Sequence, residues 1–227
     1  EMEMTSSTSP KDARSVTNND YISASKAQEK KVFYIAKEIM TSEKTYVDVI
    51  EGIRVDRGWS VRHFITNQEN DSCEYTDALV LVSDIQIDHI NDIQNVVESC
   101  WKTKKPLLII GNIGEQVKAV LAKNKIQNGL KVCHIPPPDF GRRSKELLGD
   151  IAHAVGATYF SEESGDNLEL MVEKDLGRVA KFVSTQDETI MVTTGAVDTD
   201  ERVEQLKAQR EKTSTKREKD FLSKRIA

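Results

Sequence analysis

The sequence predicts an α/β domain with a β-rich core flanked by helices and a helical pair at its C-terminal end. Three observations predict it. After Gly52, short apolar runs alternate with stretches of helical periodicity, the pattern of strands feeding crossover helices. Two of the helical stretches end on Asn128-Gly129 and Val155-Gly156, where glycine suits a left-handed cap. From Asp200 onward the chain is strongly charged and breaks once, near Thr213-Ser214-Thr215, which divides it into two helices.

Taken in order, residues 1–28 are rich in Ser, Thr, Asn, Asp and Lys, with almost nothing apolar before Tyr21, and predict a disordered tail. Residues 29–50 read as a helix and linker. Val32, Phe33, Ile35, Ala36, Ile39 and Met40 recur at helical spacing over residues 30–40, and residues 45–50 alternate like a short strand. The main domain spans 51–227. Its predicted strands are 78–82, 107–110, 131–135, 158–161, 180–183 and 189–192; its predicted helices are 87–101, 115–126 and 142–155. Thr215 and Glu218 have capping-box spacing and start the last helix.

With 227 residues, 38% hydrophobic and 30% charged, one packed core under a charged surface is the default. The balance of 32 Lys+Arg against 37 Asp+Glu offers no general attraction to nucleic acid or to anionic membranes. Cys73, Cys100 and Cys133 are widely spaced and odd in number, which reads as reduced, half-buried thiols. His63, His89, His134 and His153 are scattered, and no catalytic or metal-ligating constellation emerges. Gly111-Asn112-Ile113-Gly114 lies between a strand and a helix, where amides can hold phosphate, but it lacks the Lys-Ser/Thr of a P-loop. Arg142 and Arg143 open a helix and read as ion-pairing residues.

The segment Glu51-Gly52-Ile53-Arg54-Val55-Asp56-Arg57-Gly58-Trp59, followed by His63-Phe64-Ile65, resembles the opening of the apical domain of group I (GroEL-type) chaperonins. Lys105-Pro106-Leu107-Leu108-Ile109-Ile110, Asp139-Phe140-Gly141-Arg142-Arg143-Ser144-Lys145, Asp150-Ile151-Ala152, Asp175-Leu176-Gly177 and the stretch 202–226 continue the resemblance in family order. It implies a GroEL-like swivelling apical domain, with 29–50 standing for an adjoining intermediate-domain segment and the hairpin that precedes the family's apical domain mostly missing. A rival resemblance covers 35–49, where Glu38, Thr41, Glu43 and Tyr46-Val47 look like the opening helix of Dbl-homology exchange factors. A Rho-type exchange factor would need a long helical bundle after Ile50.

The chaperonin resemblance implies a non-covalent groove that binds nonnative polypeptides and a co-chaperonin loop, within a ring of subunits that folds proteins at the expense of ATP. The residues it points to are Trp59, His63 and Phe64 in an extended segment; Gln94, Val97 and Trp101 on a first helix; and Lys118, Ala122 and Lys123, with Asn124 beside them, on a second. Gln94, Lys118 and Lys123 stand where the family usually has Leu or Val, so the alternative is a diverged interaction module without general substrate capture. ATP and magnesium belong to the family's equatorial domain, so no cofactor and no catalysis are expected of this chain. The implied compartment is the bacterial cytoplasm or, otherwise, a mitochondrion or plastid.

Overall fold

The computed structural model describes the backbone of residues 34–41, 44–194 and 200–226, and the side chains of 52–194, 202–223 and 225–226. The predicted tail 1–28 lies outside the described residues. In chain order the strands are β1 (Tyr34–Thr41), β2 (Lys44–Val55), β3 (Cys73–Ser83), β4 (Leu107–Ile110), β5 (Val132–Ile135), β6 (Tyr159–Phe160), β7 (Gly177–Ser184) and β8 (Thr189–Thr193). The helices are α1 (Gln94–Thr103), α2 (Glu115–Asn128), α3 (Gly141–Val155), α4 (Asp200–Lys212) and α5 (Lys216–Ile226).

Residues 34–55 correct the expected helix and linker. They form an antiparallel hairpin in which Ile35 is opposite Ile50, Lys37 opposite Asp48 and Ile39 opposite Tyr46. Backbone pairing with a neighbouring strand outweighs a short helical periodicity. A hairpin stands where a helix was expected, and the exchange-factor alternative fails because strands, not a long helical bundle, follow Ile50.

The sheet runs β1-β2-β8-β7-β3-β4-β5, with β6 pairing to the end of β3. It is antiparallel from β1 to β3 and parallel across β3, β4 and β5. Ala78–Val82 of β3, all of β4 and all of β5 are buried, as parallel strands covered on both faces must be. In β7, buried Val179 and Phe182 are three residues apart, because a register shift between Val179 and Lys181 inserts one residue.

In the parallel part of the sheet α1 connects β3 to β4 and α2 connects β4 to β5, and α3 packs against β3, β6 and β7. Gly129 and Gly156 close α2 and α3 at φ +67° and +70°, conformations that cost a glycine little. All three cysteines are fully buried and unbridged, deeper than the half-buried position expected of them.

The predicted C-terminal pair forms and docks on α3. Val203, Leu206, Phe221 and Leu222 are buried there, beside an ionic cluster. The Asp150 carboxylate accepts from Arg202 at 3.0 Å and from Arg225 at 2.6 Å, and Glu146 also pairs with Arg225. The guanidinium groups of Arg143 and Arg225 lie 4.7 and 5.5 Å from the Phe221 ring centre, and Arg143 reaches Glu218 at 3.5 Å. Arg142 pairs with Glu146 at 3.0 Å, so both arginines are the ion-pairing residues expected.

Candidate functional site

The site begins where β2 ends. Gly58 lies so close to the Thr185 and Gln186 backbone that a Cβ would run into the Thr185 carbonyl, and Trp59 N–H donates to that carbonyl at 3.0 Å. This seats residues 59–64 against the turn between β7 and β8. The Trp59 ring is partly buried, with Nε1 donating to the Asp71 carbonyl at 2.9 Å. A 3-10 turn, Arg62–Phe64, follows, in which His63 is exposed and Phe64 is wholly buried. Lys125 of α2 donates to the carbonyls of Phe64 and of Ile65, the latter at 3.1 Å, and so ties the turn to the helix.

Between this turn and α2 lies an open groove of about 420 Å³ lined by Val61, His63, Glu115, Lys118, Ala119, Ala122, Lys123, Ile126 and Gln127. The α2 residues recur at i, i+3 and i+4 and so form one helix face. The groove is concave because Ala119 and Ala122 are small. Lys118 bonds Glu115 at 2.8 Å, and that hydrogen bond holds the exposed Glu115 carboxyl below its ordinary range.

On α1, Val96 and Cys100 point into the core, Val97 is partly buried against it, and Trp101 keeps 52% of its surface exposed. Trp101 Nε1 donates to the Asn128 carbonyl at 3.0 Å, which joins the last turns of the two helices. Gln94 is exposed and bonds Glu98 at 2.7 Å. Asn124 bonds within α2, to Val120 and Asn128.

Of the nine residues singled out from sequence, His63, Lys118, Ala122 and Lys123 meet around the groove; Gln94, Val97 and Trp101 lie on α1 and do not line it. Phe64 faces the core, which corrects its expected place on the surface: a phenyl ring following an exposed residue in a tight turn is the group that burial favours. Sequence reading missed Val61, Ala119 and Ile126. The signal was available in the 115–119–122–126 stripe, but two alanines among charges do not read as a binding face.

No family model matches the chain. Among curated proteins, the mitochondrial chaperonin CPN60 of Brassica napus is 35% identical over 185 residues, covering 80% of this chain. The chloroplastic RuBisCO large subunit-binding protein subunit alpha of Chlamydomonas reinhardtii is 38% identical over 194 residues, covering 84%. The chain is a group I chaperonin homologue. It spans about a third of the length of these relatives, 32% and 33% respectively. The sheet and the five helices of the described residues are consistent with a chaperonin apical-type domain.

In this chaperonin segment the glycine-containing loop after β4 serves packing. The N–H of Gly111 donates to the Ile135 carbonyl at 3.3 Å and that of Gly114 to Ile87 at 2.8 Å, so both amides are used inside the fold. Behind the groove, buried His134 bridges Ser60 Oγ at 2.7 Å and the Gly111 carbonyl at 2.9 Å. Nε2–H therefore donates to Gly111 and Nδ1 accepts from Ser60, the neutral tautomer.

Burial lowers the His134 pKa from 6.5 to about 4. The unfolded imidazole takes its proton near 6.5 and the folded one near 4, so stability is constant above 6.5 and falls as pH drops through this window. Between pH 7 and pH 5 the expected loss is about 2 kcal/mol. Urea midpoints at the two pH values measure it, and His134→Gln should flatten the difference.

Proposed function

We propose that this chain binds nonnative polypeptide segments as the apical-type part of a longer chaperonin. The observation that carries this reading is the open groove beside α2 together with the exposed Trp101 and Ile126, the latter 67% exposed. Apolar area left open next to a concave surface attracts apolar area with little demand on sequence. Homology to chaperonins supports protein folding as the wider role, and the ring, the ATP chemistry and a co-chaperonin loop are assigned to the longer protein. The mitochondrial and chloroplastic settings of the relatives support an organellar location.

The test is binding of fluorescein-labelled, reduced and carboxymethylated lactalbumin, followed by anisotropy, with thermal melts on the same samples. Trp101→Ala should weaken binding about thirtyfold, the size of a 2 kcal/mol aromatic anchor. Its melt should hold, because half the side chain is already in water. Gln94→Leu should tighten binding by adding apolar area. No binding by the wild type, with capture appearing in Gln94→Leu combined with Lys123→Val, would instead favour a diverged interaction module.

A further inference from the structure

We infer that the α2 groove selects, among nonnative segments, those that carry an acidic residue next to an aliphatic one. This inference rests on the polypeptide-binding reading. The groove has an apolar floor and wall in Val61, Ala119, Ala122 and Ile126, with room for about two side chains at its 420 Å³. Its charged residues are not balanced. Lys118 and Glu115 satisfy each other at 2.8 Å, and the Lys118 side chain is only 17% exposed. Lys123, one turn further along the same face, is exposed and makes no hydrogen bond or ion pair among the described residues.

An occupant laid along α2 therefore meets an apolar depression at Ala119 and Ala122, then a free ammonium group beside Ile126. A leucine or valine fills the depression. A carboxylate on the neighbouring residue reaches Lys123, where the occupant itself excludes part of the water that weakens an exposed ion pair. A basic residue at that position meets Lys123 with like charge. An apolar segment without charge gains only the depression. The same cation that costs the groove aliphatic area makes its preference directional in charge.

The experiment uses short labelled peptides with the same leucines, differing at one adjacent position as Glu, Gln or Lys, titrated by anisotropy against the wild-type chain and Lys123→Gln, at low and at physiological salt. The Glu peptide should bind about fivefold tighter than the Lys peptide to the wild type, with the difference shrinking as salt rises. In Lys123→Gln the ratio between the Glu and Lys peptides should fall to about one. Equal affinities for the three peptides, or a preference that survives Lys123→Gln, would overturn the inference and leave the polypeptide-binding reading standing. Failure of every peptide, together with failure of unfolded lactalbumin, would remove both. Ala119→Trp, which fills the depression from an exposed position, should abolish binding of all three without moving the melt; binding that persists would place the occupant elsewhere and overturn the inference.

Discussion

Phe64→Ala is expected to destabilise the chain by about 3–5 kcal/mol and to lower its melting temperature by on the order of 10 °C. The ring has no exposed surface and belongs to the main apolar cluster with Cys73, Leu121 and Cys133. Truncation leaves a cavity beneath the turn that Lys125 holds against α2. Because the turn carries His63 and adjoins Val61, the groove should lose its shape along with the melt. The resemblance to chaperonins puts this position on the binding surface, so the two readings separate cleanly. A thermal melt within a degree or so of wild type, with binding of unfolded lactalbumin lost, would make Phe64 a surface anchor.

Asp150→Ala is expected to cost about 3 kcal/mol or more, the scale seen when one partner of a buried ion pair is removed. The Arg225 side chain is 3% exposed and relies on Asp150 and Glu146, while Arg202 bonds the same Asp150 oxygen at 3.1 and 3.0 Å through Nε and Nη2. With Asp150 gone, a desolvated guanidinium keeps only Glu146. The easiest way out is release of α4 and α5 from α3, since Phe221 is held there by Arg225 itself and by Arg143. Trypsin should then cut the C-terminal helices faster, alongside a lower melt. An unchanged melt and unchanged cleavage would mean that the cluster contributes nothing net.

The strands from β4 to β8 were legible because their apolar runs are short and bounded by glycine, proline or charge, and β4 matches its expected limits. The hairpin was not. Ile35, Ala36, Ile39 and Met40 satisfy a helical period over one short segment, and only pairing with 44–51, across a two-residue connection, reveals the strand. A strand read at 45–50 needed a partner, and its nearest neighbour in sequence was the natural one. The site was legible in its polar members, His63, Lys118 and Lys123, which the resemblance singled out. Its concavity was not, because that arises from Ala119 and Ala122 lacking bulk, a property that depends on what lies opposite them. Phe64 shows the reverse case: residue type suggested an anchor, and packing turned it inward.

The most direct measurement is amide hydrogen exchange of the wild-type chain with and without bound unfolded lactalbumin. Slowed exchange in α2, in the turn at 61–65 and in the last turn of α1 is the predicted result, with the rest of the sheet unaffected. Phe140 and Leu170, at 80% and 77%, are more exposed than Trp101 and lie outside the groove. Protection confined to those residues and their neighbours would contradict the account.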